Sequence, residues 1–333
     1  MSDLPNAHRA AAHPTARPTH IRQPGPVAAE RLVAVPCRGR RFEVRLSAGE
    51  ALLLGISRCF ADEGFVSGTV KLDGTALSPF AYCMPAAARD DRHAAFYSET
   101  FRPAGVTRFL EGAMTVGLRD GAIAFHAHGH WREADGTSHG GHVLADGSVV
   151  AEDVVLPAYG IDGAAFRVDA DAETGFSVFG PAATEPEGRD GAWERAHALR
   201  LRPNQDFAGA LEGFCRDHGI VRARIEGGVG STIGAAFESG AEIAAFATEV
   251  HLIGGRIVPD EDGTPCAELD GGLVDFTGAL AGGRFARGIN PVLMTFELVL
   301  VDETPGRASL RSTRSPSTPP QRRHTNRIDG ARG

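Results

Sequence analysis

Five of the thirteen histidines in this 333-residue chain fall between residues 126 and 142, first as His126-Ala127-His128-Gly129-His130 and then as Ser138-His139-Gly140-Gly141-His142. Alternation along a strand puts His126 and His128 on one face. The intervening Glu133-Ala134-Asp135-Gly136-Thr137 fits a three-residue hairpin loop with Gly136 in the left-handed conformation. That loop pairs Glu133 with Thr137, sets His128 opposite His142 and His130 opposite Gly140, and gathers His126, His128 and His142. A two-residue Asp-Gly turn would instead shift the register by one and send His142 to the other face. In the first register the three imidazoles form a metal site with an open position. Zinc is the expected ion, and iron, manganese, nickel and copper suit the same donors. His130 and His139 are expected in supporting or surface positions, since Gly140 gives His130 no ligand partner.

This string, preceded by Arg45-Leu46-Ser47-Ala48-Gly49-Glu50 leading into an apolar helix, resembles the plant and prokaryote conserved (PPC or PCC) domain family. The family's His-x-His, short turn and Gly-Gly-His fall on His126, His128, Gly140, Gly141 and His142. Phe166-Arg167-Val168-Asp169 with Glu173-Thr174-Gly175-Phe176 is similar to its closing segment, so the resemblance covers roughly residues 41 to 180. It implies an α+β fold, a metal at the three histidines and assembly into a homo-oligomer, with a trimer expected. The family's fold is distantly similar to that of acetolactate decarboxylase and of a zinc ester hydrolase. That analogy implies lyase or hydrolase chemistry on a small carboxylate.

A second, weaker copy follows. Val44 to Leu52 lines up with Leu199 to Phe207, and Cys59 to Phe65 with Phe214 to Ile220. Where His126 and His128 should recur the chain reads Cys266-Ala267-Glu268, and the Gly-Gly-His equivalent falls at Thr277-Gly278-Ala279. The second copy is therefore expected to lack the triad. The expected organisation is two tandem PPC-like domains, each a mainly antiparallel β-sheet with one principal helix. The boundaries are an N-terminal tail at 1–40, a first domain at 41–182, a linker at 183–195, a degenerate second domain at 196–304 and a C-terminal tail at 305–333. Helices are expected from Glu50 to Glu63 and from Asp206 to His218, ending at Gly64 and Gly219. Strands are expected near Phe65 to Lys71, Leu77 to Met84, Thr107 to Val116, Ile123 to Arg132 and Ser138 to Leu144.

The tails, rich in Pro, Arg and either Ala or Ser and Thr, read as disordered. They are basic, whereas residues 42–305 carry a net charge of −19 out of −8 for the whole chain. A body that acidic repels a phosphate backbone. DNA association through the tails is thus the alternative function, with Arg38-Gly39-Arg40 resembling the core of an AT-hook and Arg322-Arg323-His324 as a second basic cluster. A trimeric assembly module without catalysis is the other alternative. No run is long and apolar enough to span a membrane, and five scattered cysteines without Cys-x-x-Cys point to a reducing cytoplasm. For an enzyme, Glu111 and Glu50 are the candidate acid or base groups, and Arg45 the candidate clamp for a substrate carboxylate.

Overall fold

The computed structural model describes residues 17–187, 191–306 and 309–311. The first half runs β1 (Leu32–Leu46), α1 (Leu52–Glu63), β2 (Gly68–Lys71), β3 (Ala76–Leu77), β4 (Tyr82–Cys83), β5 (Pro85–Ala87), β6 (Ala95–Tyr97), β7 (Thr107–Arg119), β8 (Ala122–Arg132), β9 (Ser138–Val143), β10 (Val154–Asp162), β11 (Ala164–Ala170) and β12 (Ser177–Ala183). The second runs β13 (Ala192–Leu201), α2 (Phe207–Asp217), β14 (Ala223–Thr232), β15 (Ala235–Ala236), β16 (Glu242–Ile243), β17 (Thr248–Pro259), β18 (Pro265–Asp275), β19 (Leu280–Arg284), β20 (Val292–Asp302) and β21 (Ser309–Arg311).

Each half repeats one strand order. Neighbours in the first are β9, β8, β7, β2, β10 and β1. In the second they are β19, β18, β17, β14, β20 and β13. The mainly antiparallel α+β architecture and its duplication are therefore as expected. Both helices form where their apolar spacing places them. α1 stops at Gly64, whose φ of 72° lets its N–H reach back to the last turn, and α2 starts at Asp206, whose side chain accepts from the Gly209 N–H at 2.7 Å.

One strand joins the halves. β1 pairs antiparallel with β10 through residues 38–46 and with β13 through residues 32–39. An apolar cluster including Ile161, Phe166, Phe179, Ala198 and Val299 fills the seam, between a first-half core around Phe60, Phe80 and Trp131 and a second-half core around Phe207, Phe285 and Phe296. The sheet then folds back on itself, so that β7 and β8 face β17 and β18. Lys71 Nζ donates to the Ile253 carbonyl across this contact at 3.0 Å.

The chain's ends and linker differ from expectation. Residues 17–31, expected to be tail, pack on both halves: the Ile21 N–H donates to Asn204, buried Gln23 donates to the Leu293 carbonyl at 2.7 Å, and Arg31 pairs with Glu173 of the first half at 2.7 Å. The expected linker ends early, because Trp193 on β13 is 2% exposed and packs into the first-half core beneath the Arg38 guanidinium. β21 pairs with β13, inside what the sequence read as C-terminal tail. Arg322, Arg323 and His324 lie outside the described residues. Arg38-Gly39-Arg40 is not a free hook, since it sits in β1 with Arg38 on Asp162 at 2.6 Å and Arg40 on Glu63 at 2.8 Å. Among the described residues no helix is long and apolar enough to cross a membrane.

A buried ion cluster ties the β11–β12 turn to β13. Asp171 pairs with Arg200 and with Arg202, and the Asp171 and Arg200 side chains are almost wholly buried. Burial opposes the Asp171 charge, but the Arg200 guanidinium overcomes it and holds the carboxyl below its usual range. Its contribution to stability is present above the unfolded carboxyl pKa and is lost as pH falls through the depressed folded value. Asp171→Asn leaves Arg200 buried without its counter-charge and should destabilise the fold by about 3–5 kcal/mol, read from chemical denaturation near neutral pH. An unchanged midpoint would show that the cluster does not hold the halves together.

Candidate metal centre

The hairpin forms in the first of the two registers. The Glu133 N–H bonds the Thr137 carbonyl at 2.8 Å, Gly136 takes a φ of 89°, and His128 lies opposite His142, with His130 opposite Gly140. His126, His128 and His142 then converge. His128 Nε2 is 2.9 Å from His126 Nε2 and 3.1 Å from His142 Nδ1. The two glycines make room, though not for the triad itself: a Cβ on Gly140 would strike the His130 ring at 2.8 Å, and one on Gly141 the Cys83 carbonyl at 2.4 Å.

The second half completes the site. Glu249 on β17 brings Oε2 to 2.8 Å from His128 Nε2, and Glu297 on β20 accepts from His126 Nδ1. His128 Nδ1 donates to the Val250 carbonyl at 2.9 Å. In the neutral rings these outer partners set the tautomers, so that Nε2 of both His126 and His128 is left as a lone pair facing the other and Glu249. Ligand atoms of His126, His128, His142 and Glu249 all lie within 4.8 Å of one another, so the group can hold a metal ion. A zinc centre with bonds of ~2.0–2.1 Å would have ligand-to-ligand edges of roughly 3.3 Å. The observed spacings are near that.

Electrostatics separates the three imidazoles. Burial disfavours a charged His126, but Glu297 and Glu249 outweigh it and hold its pKa above the ordinary range. Burial, then the charges of His126 and His128, hold His142 far below, so it is neutral and can ligate. Burial, reinforced by Glu249, pushes the Cys83 thiol up to about 12, which removes it as a thiolate donor.

A cavity of about 190 Å³ opens beside the triad, lined by His126, His142, Glu249, Tyr97, Phe176 and Arg119 among others. Arg119 is exposed at its rim and has no hydrogen bond or ion pair among the described residues.

Two of the expected catalytic and binding residues lie elsewhere. Glu50 bonds the Ser47 N–H at the start of α1 and pairs with Arg58 at 3.0 Å; it is a helix lead-in residue. Arg45 is 69% exposed and pairs with Glu43, because its strand position faces solvent. Glu111 is not on the triad: its Oε1 lies 3.1 Å from His130 and 3.2 Å from His251. His130 is 8% exposed and not a surface residue; its partner comes from β7, not from Gly140 on β9. His139 is half-buried, with its ring 6.4 Å from that of Tyr82. Sequence reasoning missed Glu249, Glu297, Tyr97 and Arg119. For Glu111 and Arg119 the β7–β8 hairpin was an available signal; for Glu249, Glu297 and Tyr97 no local pattern was.

The repeat also aligns differently from the sequence expectation. Asp270 pairs with Arg284 as His128 pairs with His142, and Gly271 with Gly283 as Gly129 with Gly141. The counterparts of His126, His128 and His142 are thus Glu268, Asp270 and Arg284, and Gly140-Gly141-His142 matches Gly282-Gly283-Arg284, not Thr277-Gly278-Ala279. Arg284 pairs with Asp270 at 2.8 Å and with Glu268 at 3.3 Å. The triad is therefore absent from the second half, as expected, and an ion cluster stands in its place.

Residues 188–304 match the model of the Plants and Prokaryotes Conserved (PCC) domain. The match falls on the half without the triad. Structural similarity extends to a metal-containing protein of Archaeoglobus fulgidus, 18% identical over 42% of this chain and 92% of that one, with a TM-score of 0.35. A PPC protein of Pyrococcus horikoshii is 17% identical over 45% of this chain and 97% of its own, also at 0.35. A protein of Ralstonia eutropha JMP134 with a provisional DNA-binding name is 18% identical over 41% and 89%, at 0.31. No curated protein matches the sequence.

All three tyrosines resist ionisation. Burial, reinforced by Glu133 at Tyr82, by Glu249 at Tyr97 and by Glu194 at Tyr159, raises each phenol above its usual range. A spectrophotometric titration of the folded chain should show no tyrosinate absorbance up to about pH 11. A phenol that titrates near pH 10 while circular dichroism stays native, and that disappears in Tyr97→Phe, would show that the cavity wall is wetter than described.

Proposed function

We propose that this chain binds a divalent transition metal at His126, His128, His142 and Glu249, and with it a small carboxylated metabolite. The observation that carries the reading is His128 Nε2, a buried lone pair whose neighbours at 2.8, 2.9 and 3.1 Å are a carboxylate oxygen and two imidazole nitrogens. Once the rings are neutral, a shared cation satisfies these nitrogens and the carboxylate together. Zinc fits the nitrogen donors, while the added carboxylate also suits iron or manganese. A metal here supplies Lewis acidity toward a carbonyl or carboxylate oxygen.

The chain's own groups shape what enters. Arg119 at the cavity rim offers a planar donor fork for a carboxylate, the role assigned from sequence to Arg45. Tyr97, held protonated beside Glu249, serves as a hydrogen-bond donor. Glu249 can accept a proton from a bound substrate if it is not itself a ligand. These groups fit a lyase or hydrolase acting on a hydroxy or oxo acid. DNA association draws support from the DNA-binding names of structural neighbours such as the Ralstonia protein, and it has to overcome the acidic body and the engagement of Arg38 and Arg40 within β1.

Elemental analysis of the purified chain should find metal that is lost in His126→Ala/His128→Ala/His142→Ala while circular dichroism is retained. Glu297→Ala, which frees the outer nitrogen of His126, should weaken affinity by about 10–100-fold in competition with a chelator. Equal metal in wild type and triad variant would overturn the site. Calorimetry with a panel of hydroxy and oxo acids should show binding to the loaded protein that Arg119→Ala weakens at least tenfold. Retention on DNA that survives moderate salt, with no acid bound, would shift the reading to the alternative.

A further inference from the structure

The hairpin that carries the triad has one more histidine on the same face. His130 lies on β8 opposite Glu111 of β7, and His251 reaches them from β17 of the second half. Glu111 Oε1 sits 3.1 Å from His130 Nδ1 and 3.2 Å from His251 Nε2, and the ligand atoms of all three residues lie within 4.8 Å of one another. Both imidazoles are buried.

His130 Nε2 donates to the Leu273 carbonyl at 2.9 Å. In the neutral ring that leaves Nδ1 as a lone pair aimed at a carboxylate oxygen. Two acceptors at this distance repel, and a cation between them reverses the sign. The device repeats the one at His128, where a second-half carbonyl also fixes the outer nitrogen. The spacings match the roughly 3.3 Å edge of a site with bonds of ~2.0–2.1 Å.

Gly272, opposite His251 in the β17–β18 ladder, marks the space the three groups share. A Cβ there would fall 2.5 Å from Glu111 Oε1 and 2.7 Å from Cε1 of both His130 and His251. A side chain at this position would occupy the point where the donors converge.

We propose that Glu111, His130 and His251 form a second site for a divalent transition metal, separate from the triad and shared between the two halves. Two imidazoles and a carboxylate suit zinc or ferrous iron. Two residues along a strand separate His128 from His130 by roughly 7 Å, well beyond the ~3.5–4 Å between ions that share a bridging oxygen. None of the three residues lines the cavity. The second ion therefore acts as a staple between β7–β8 and β17–β18 and takes no part in handling substrate.

The test loads the metal-free full-length chain with cobalt(II), removes excess ion and counts what stays by elemental analysis. Wild type should hold two equivalents, the His126→Ala/His128→Ala/His142→Ala variant one, and His130→Gln/His251→Gln one. Cobalt should still raise the melting temperature of the triad variant. Glu111→Gln, which keeps size and removes charge, should also hold one equivalent and serves if the histidine variants fail to fold. A single equivalent in wild type that survives both His130→Gln/His251→Gln and Glu111→Gln would overturn the proposal. A single equivalent that survives the triad substitutions and is lost with Glu111 would overturn the proposed function and leave this site standing.

Discussion

The fifteen-residue strand β1 hydrogen-bonds to β10 through its C-terminal part and to β13 through its N-terminal part, so it belongs to both halves at once. A strand shared in this way makes one continuous sheet of two repeats, and the sheet's twist and curl then lay β17 and β18 over β7 and β8. Every outer contact of the histidines crosses that fold: the Val250 carbonyl to His128, Glu297 to His126, the Leu273 carbonyl to His130. Separated halves would leave these imidazoles on an open face, where water competes for each hydrogen bond and neither tautomer nor ring angle is fixed.

Duplication has divided the work between the halves. At the triad the first keeps the imidazoles, and the second supplies carboxylates and a backbone carbonyl. At the positions where the second half could have held its own triad, Glu268, Asp270 and Arg284 satisfy one another. That cluster is partly exposed, and ion pairs of this kind contribute little to stability, about 0–1 kcal/mol each. The replacement therefore removes a site at small energetic cost, without damage to the strand register that both halves share.

Burial does much of the chemical preparation. The field of Glu297 and Glu249 favours charge on His126, while desolvation strips it from His142, although the two rings lie 5.0 Å apart. Tyr97 keeps its proton for the same reason that His142 loses it: each is held in its neutral form by a dry environment. The charge on each group is thus set by the carboxylates beside it and by how far the facing strands shield it from water.

The hairpin register, the convergence of His126, His128 and His142, the two helices and the duplication were legible in the sequence, because each follows from local periodicity and from a turn whose geometry Gly136 permits. The second triad aligns elsewhere because Thr277-Gly278-Ala279 belongs to the hairpin loop: Asp275 to Ala279 closes as Glu133 to Thr137 does, and counting out from it sets Asp270 opposite Arg284. Arg45 and Glu50 were plausible by residue type, but solvent and the α1 lead-in claim them. Glu249, Glu297 and His251 come to the sites from strands whose approach no local pattern records; Glu249 and Glu297 lie more than 100 residues from His128 in the chain. Sequence by itself determined which groups could ligate and which of them share a strand face; only the tertiary structure decided which carboxylates and carbonyls meet them, because that depends on how two sheets joined by one strand pack face to face.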